Sequence, residues 1–194
     1  MKKKVRVVVI ALVCISLVAG YYYYLNHEAS TRTADDQTQQ TEVEKVLAKN
    51  LEKSYPQTPR SVVKMYNRIL LCLYNEEYTD EQFEDLADQQ RMLLDEDLLE
   101  ANPRDTYLES LKADVASYKN AKKQITVATV CGSADVVNKK VKGEDCAYVT
   151  SSYFMKEANK SYARTVQEYV LRQNEDGDWK IIGFYLKEGD SENE

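Results

Sequence analysis

Apolar residues follow one another along this chain in three successive patterns. The first is an unbroken run. After Lys2, Lys3, Lys4 and Arg6, no charged side chain occurs from Val7 to Leu25. As a helix that run measures about 28 Å at ~1.5 Å per residue, close to the ~30 Å of a hydrocarbon core. Basic residues in front of it favour a cytoplasmic N-terminus, and Tyr21 to Tyr24 would sit at the outer headgroup level. Residues 1–25 are therefore expected to be a transmembrane anchor, with the rest of the chain outside the cell. Val18-Ala19-Gly20 carries small residues suited to signal cleavage, which gives the alternative of secretion after a cut near Gly20. Cys14 follows bulky Val13, which makes a lipidated cysteine a poor reading and a small apolar membrane residue the better one.

The second pattern is helical. Asn26 to Gln40 is polar and without period, as a tether would be. Val43, Val46, Leu47 and Leu51 mark a short amphipathic helix before Pro56, either docked on the domain or extending a stalk. Residues 26–57 form this linking region. Thr58 and Pro59 then suit the N-cap and first position of a helix carrying Val62, Val63, Tyr66, Ile69, Leu70, Leu73 and Tyr74. Apolar residues cover more than half of its circumference, so it should be central. Thr79 and Gln82 have capping-box spacing at the head of a second helix with Phe83, Leu86, Ala87, Gln90, Leu93 and Leu94 on its face. Leu98 and Leu99 read as a turn. Asn102 and Pro103 begin a third helix with a narrower face of Leu108, Leu111, Val115 and Tyr118, expected on the outside.

The third pattern is β. It predicts strands over Gln124–Cys131, Cys146–Met155, Tyr162–Arg172 and Trp179–Leu186. The last is almost wholly apolar and reads as central. Asn174 to Asp178, with Gly177, suits the hairpin between the last two strands. Helices followed by strands give an α+β class with an antiparallel sheet. The domain is expected over residues 58–187, followed by an acidic tail over 188–194. The expected core is Val63, Tyr66, Ile69, Leu70, Leu73, Phe83, Leu86, Val127, Val149, Val170, Ile182 and Phe184.

Charge narrows the list of partners. With the four N-terminal basic residues set aside, 22 basic side chains face 32 acidic ones. A net charge of about −10 repels phosphate backbones and anionic lipid, so nucleic acid is not an expected partner. Beyond Cys14, the cysteines are Cys72 in a helix pattern and Cys131 and Cys146 on neighbouring strands. Those last two suit either a cross-strand disulfide or free buried thiols.

The order of elements over Thr58 to Lys187 resembles the nuclear-transport-factor-two-like superfamily, also called SnoaL-like or ketosteroid-isomerase-like. The opening helix with Ser61-Val62-Val63-Lys64-Met65-Tyr66 and the closing strand with Trp179-Lys180-Ile181-Ile182-Gly183-Phe184 carry that resemblance. The chain also resembles uncharacterised anchored proteins of Gram-positive bacteria. The resemblance implies three helices on a curved, cone-like, four-stranded sheet that wraps a pocket or offers a flat interaction face. Fold alone does not fix function.

The chemistry is sparse. The single histidine, His27, lies in the tether, which removes histidine-based nucleophilic catalysis from the domain. There is no Cys-x-x-Cys pair, phosphate-binding glycine loop or calcium loop. Asp95-Glu96-Asp97 and Glu175-Asp176-Gly177-Asp178 are explained as a solvated turn and a hairpin loop. No catalytic, cofactor or metal residue is therefore expected. Isomerase and cyclase members of the resembled group use a buried acid with Tyr or Asp partners. The candidate contact or pocket residues are accordingly Tyr148, Tyr153, Glu168, Tyr169 and Tyr185, all on predicted strands. Arg164 and Arg172, at even spacing from Glu168, should leave it beside charged neighbours instead of in a dry pocket. The functional expectation is a non-catalytic interaction module at the cell envelope, contacting an envelope protein or a second copy. Its alternatives are a small apolar ligand or a Tyr/acid enzyme within the cone.

Overall fold

The structure is a computed structural model that describes residues 40–158 and 161–187. Residues from Thr41 onward gather into one compact unit. Its helices are α1 (Glu42–Leu47), α2 (Pro59–Asn75), α3 (Asp80–Arg91), α4 (Glu96–Ala101) and α5 (Arg104–Asn120). Its strands are β1 (Gln124–Val130), β2 (Val137–Val141), β3 (Glu144–Lys156), β4 (Tyr162–Gln173) and β5 (Trp179–Leu186).

Local chemistry sets the helix starts. Thr41, Thr58 and Thr79 each cap the helix that follows, and each forms a reciprocal capping box, with Glu44, Ser61 and Gln82 respectively. Pro59 occupies the first turn of α2, where its missing N–H leaves no bond unmade. α1 docks on the domain, with Val43 and Val46 fully buried. α4 occupies the stretch read as a turn, because the Asp95 side chain caps it by accepting from the Asp97 N–H at 3.1 Å. Leu93 and Leu94 leave α3 altogether. Ile181 N–H donates to the Leu93 carbonyl and Asp95 N–H donates to the Ile181 carbonyl, both at 2.9 Å. This short parallel bridge ties the segment after α3 to β5.

The sheet is antiparallel, five-stranded, open and uncurled. That corrects the expectation of a four-stranded, cone-like sheet. β4 pairs with β3 along its length, so β1 and β2 share the other edge, one opposite Ser151–Lys156 and the other opposite Glu144–Tyr148. β2 was absent from the expected strands because Asn138-Lys139-Lys140 breaks its apolar pattern and every residue in it is exposed. A two-residue turn joins it to β3. Lys142 and Gly143 both have positive φ there, 53° and 93°, which matches the twist of the flanking strands. β5 lies at the sheet edge, not at its centre.

The helices cover one face of the sheet. α2 packs Val62, Val63, Met65, Tyr66, Ile69 and Leu73 onto Val149, Tyr169, Leu171 and Ile181. Two bulges reset the strand alternation. One lies between Ile125 and Val127, and the other leaves Ile182 unpaired between Val170 and Leu171 of the facing strand. As a result Val127 is 47% exposed and Ile181 takes the buried place expected of Ile182. Val170 points to the uncovered face, opposite Gly183 and Tyr148. Phe184 shares the covered side with Tyr169 but is 52% exposed, beyond the reach of the helices. Leu70 is only partly buried.

Cys72, Cys131 and Cys146 are free thiols. Register explains the absence of a cross-strand disulfide. Cys131 N–H donates to Thr150, whereas Cys146 faces Lys139.

The expected anchor over residues 1–25, most of the tether and the acidic tail over 188–194 lie outside the described residues. Among the described residues no helix is long and apolar enough to cross a membrane. The single-pass topology, the extracytoplasmic location, its secreted alternative and the membrane as a partner thus lack structural support.

Candidate functional site

The five candidate residues divide between the two faces of the sheet. Tyr153 and Tyr169 point toward the helices, while Tyr148, Glu168 and Tyr185 point away from them. Strand period makes the division, since Glu168 and Tyr169 are adjacent in sequence and their side chains must diverge.

On the uncovered face, Glu168 lies opposite Thr150 on β3 and Tyr185 on β5. The Tyr185 hydroxyl donates a short hydrogen bond to Glu168, and Lys187 Nζ lies 3.2 Å from its other oxygen. The Tyr185 bond, with help from Lys187, holds the Glu168 carboxyl below the usual carboxylate range. A general base at neutral pH would need the opposite shift. Tyr148 stands on the neighbouring strand β3, opposite Val170, with Lys139 Nζ 5.3 Å from its ring centre. Arg172 turns instead to Asp95, Asp97 and Glu144, pinning the head of α4 to the sheet. Its donors are thereby engaged in a structural cluster. Among the described residues no group of His, Cys, Asp or Glu is arranged to hold a metal.

On the covered face a run of hydrogen bonds crosses the core. Ser151 Oγ lies 3.3 Å from the Thr129 carbonyl, and the Asn67 Nδ2 amide donates to Ser151 Oγ at 2.8 Å. The Tyr153 hydroxyl donates to Asn67 Oδ1 at 2.5 Å, meets the Tyr169 hydroxyl at 2.6 Å, and Tyr169 reaches the Gln167 carboxamide at 3.0 Å. Asn67, Ser151, Tyr153 and Tyr169 are buried. The Tyr66 ring packs edge-on against Tyr169 with centroids 5.5 Å apart. Burial pushes both tyrosine hydroxyls up from their ordinary range, and the bonds from Ser151, Tyr169 and Asn67 offset part of the rise at Tyr153. Both phenols are therefore neutral at physiological pH.

The run ends at a cleft of about 270 Å3 between the helices and the sheet. It is lined by Leu70 and Tyr74 from α2, Tyr118 from α5, Ile125 from β1, Tyr153 and Met155 from β3, and Thr165 and Gln167 from β4. None of these side chains is charged. The Tyr118 hydroxyl is buried and has no hydrogen-bond partner among the described residues. A buried hydroxyl left unpaired costs about 1–3 kcal/mol; the Gln89 carboxamide oxygen is buried without a partner as well, and neither atom is open to the cleft.

Reasoning from sequence missed Asn67, Ser151, Gln167 and Tyr118 as members of one site. Two of them carried a signal. Asn67 sits four residues after Val63 on the buried stripe of α2, and Ser151 alternates with Val149 and Tyr153 on β3. A polar residue at a core position requires a partner, and these two are partnered with each other. Gln167 and Tyr118 show no comparable signature.

An α+β domain with one neutral, half-open cleft on the covered side of an open sheet is the class that fold and site define. The family model described as "Domain of unknown function (DUF6715)" matches residues 1–184, and the chain belongs to that family. No curated protein matches it. The family match replaces the resemblance to the nuclear-transport-factor-two-like group, whose conical sheet this chain lacks.

Proposed function

We propose that this domain binds a small, neutral, mostly apolar molecule in the cleft between α2, α5 and the strands β1, β3 and β4. The observation that carries the reading is a cleft lined by no charged group and mostly by apolar side chains. A small ligand would cover the apolar wall, with Thr165 and Gln167 at hand for one polar atom. The absence of a lining charge argues against carboxylates, phosphates and ammonium groups, which would be desolvated without a counter-charge. At about 270 Å3 the cleft falls just below the roughly 300–1,000 Å3 of drug-sized pockets, which fits a molecule of one ring or a short chain.

Binding is preferred to turnover because proton transfer needs a group titrating near the working pH. The phenols at the cleft are pushed up, and Glu168 is held down on the other face. Tyr153 and Tyr169 belong to the proposed site, with Tyr169 behind the wall. Tyr148, Glu168 and Tyr185 do not.

Titration of the full chain with 4-ethylphenol and with ethylbenzene tests the reading, followed by thermal denaturation and calorimetry. A saturable rise in Tm is expected with at least one of them, and Thr165→Phe, which fills the cleft, should abolish it. No shift with either probe, or an equal shift in Thr165→Phe, would overturn the proposal.

A further inference from the structure

The hydrogen bonds behind the cleft contain a shortage of protons. Asn67 Oδ1 cannot donate, so its 2.5 Å contact with Tyr153 takes the Tyr153 hydroxyl proton. The 2.6 Å contact between the two phenols must then use the Tyr169 proton. Nothing remains for the 3.0 Å contact between the Tyr169 oxygen and Gln167 Oε1, since a carbonyl oxygen also only accepts. Two hydroxyl protons cannot serve three oxygen–oxygen contacts.

A half-turn of one carboxamide about its last torsion supplies the missing proton. We infer that Gln167 donates its amide N–H to Tyr169 and presents its carbonyl oxygen to the cleft, so that the site selects neutral ligands bearing a hydroxyl or N–H donor. Every bond in the run then points the same way. Gln167 donates to Tyr169, Tyr169 to Tyr153, Tyr153 to Asn67, Asn67 to Ser151, and Ser151 to the Thr129 carbonyl. Turning Asn67 instead would reverse the run and leave the Gln167 amide facing the cleft. That arrangement forfeits the Ser151 bond to Thr129, because the Ser151 proton would be needed by Asn67. The forward run keeps every contact and is preferred.

Gln167 becomes an acceptor fixed in orientation by Tyr169, which lies behind the cleft wall. A phenol or alcohol would thus be read by its proton, donated to Gln167. An ether or ketone of equal size has no proton to give it.

The inference rests on the proposed binding reading, and the test separates the two. Calorimetric titration of the full chain would compare 4-ethylphenol with 4-ethylanisole, which keeps the ring and the oxygen but has no donor, and with ethylbenzene, which has neither. The phenol should bind about tenfold more tightly than the anisole, the worth of one well-formed hydrogen bond. Gln167→Met should bring that ratio within about twofold while leaving ethylbenzene affinity unchanged, which also reports an intact cleft. Tyr169→Phe, which frees the Gln167 carboxamide to turn, should reduce the ratio without abolishing binding. If 4-ethylanisole equals or exceeds 4-ethylphenol while ethylbenzene still binds, the run points the other way and the inference is overturned with the cleft reading intact. If none of the three binds, the cleft reading itself has failed and the inference falls with it.

Discussion

Tyr153 and Tyr169 on one face of the sheet, and Glu168 and Tyr185 on the other, show what burial does to similar chemistry. Each face holds a tyrosine hydroxyl in a short contact with an oxygen on a neighbouring strand. Beneath the helices the partner is another neutral phenol, and the contact continues through Asn67 to Ser151. In the open the partner is a carboxylate backed by Lys187, with solvent at hand. The run from Gln167 to Ser151 contains no charged side chain. The uncovered face tolerates charge because water shares in its solvation. Removing a group should therefore cost far more beneath the helices than above the sheet.

Adjacent residues give the sharpest test. Leu171 is fully buried under the helices, and its neighbour Val170 lies on the uncovered face. Leu171→Ala should cost about 2–5 kcal/mol through lost burial and the cavity left behind. Val170→Ala should cost less than about 1 kcal/mol, as at other partly exposed sites. Denaturant midpoints measure both. Equal losses would mean that β4 does not divide Leu171 and Val170 between the two faces as described, opposite the bulge in β5.

That bulge also marks where the sequence stopped being readable. Strict alternation places Ile125 and Val127 on one face and ranks Ile182 with the core. An extra residue at Thr126 and another at Ile182 reverse the parity beyond them, and no residue type announces either one. The α2 stripe and the caps at Thr58 and Thr79 were legible because helix period and capping chemistry are local. The place of β5 was not. Its apolar run signals burial, but Phe184 and Leu186 extend past the helices and stay exposed. The site was legible only in part for the same reason. Asn67 and Ser151 carried a signal, as polar residues at core positions, that the sequence reading passed over. Their meeting across 84 positions of sequence depended on how α2 crosses the sheet.

Breaking the buried run ranks second in expected effect. Asn67→Ala leaves the Tyr153 proton and the Ser151 oxygen without their partner, at about 1–3 kcal/mol for an orphaned buried group. Asn67→Asp should be worse at neutral pH, because it adds a charge with no cation beside it in this run. If both variants melt like the unmodified chain, the run does not hold the core together.

Alkali should attack the two faces unequally as well. Tyr66, Tyr153 and Tyr169 ionise above their ordinary pKa in the folded chain because burial disfavours the phenolate. Their protonated forms dominate both states below about pH 10, so no stability is lost there. Above it the unfolded chain loses protons that the folded chain keeps. Stability should then fall by about 1.4 kcal/mol per pH unit for each buried tyrosine. A chemical-denaturation series from pH 8 to 11.5 measures this. Tyr169→Phe should flatten the slope by about one proton, whereas Tyr185→Phe should change it less, because the Glu168 contact that raises the Tyr185 hydroxyl is screened by solvent. A slope indifferent to Tyr169→Phe would contradict its burial.

The smallest effect is expected from Glu168→Gln. Its carboxyl is held low by the Tyr185 hydroxyl and Lys187, so the folded state favours the carboxylate. The stability contributed by such a group is complete above the unfolded carboxyl pKa of about 4.3 and is lost as pH falls through the lower folded value. Glu168→Gln should therefore cost less than about 1 kcal/mol at pH 7, as for other partly solvated pairs. The difference from the unmodified chain should shrink as pH falls below that unfolded value, and should shrink in high salt. Since Glu168 is on the face opposite the cleft, 4-ethylphenol affinity should not change in the variant. A loss as large as that of Asn67→Ala, or a loss of probe binding without loss of fold, would place Glu168 in the working site and undo the division between the two faces.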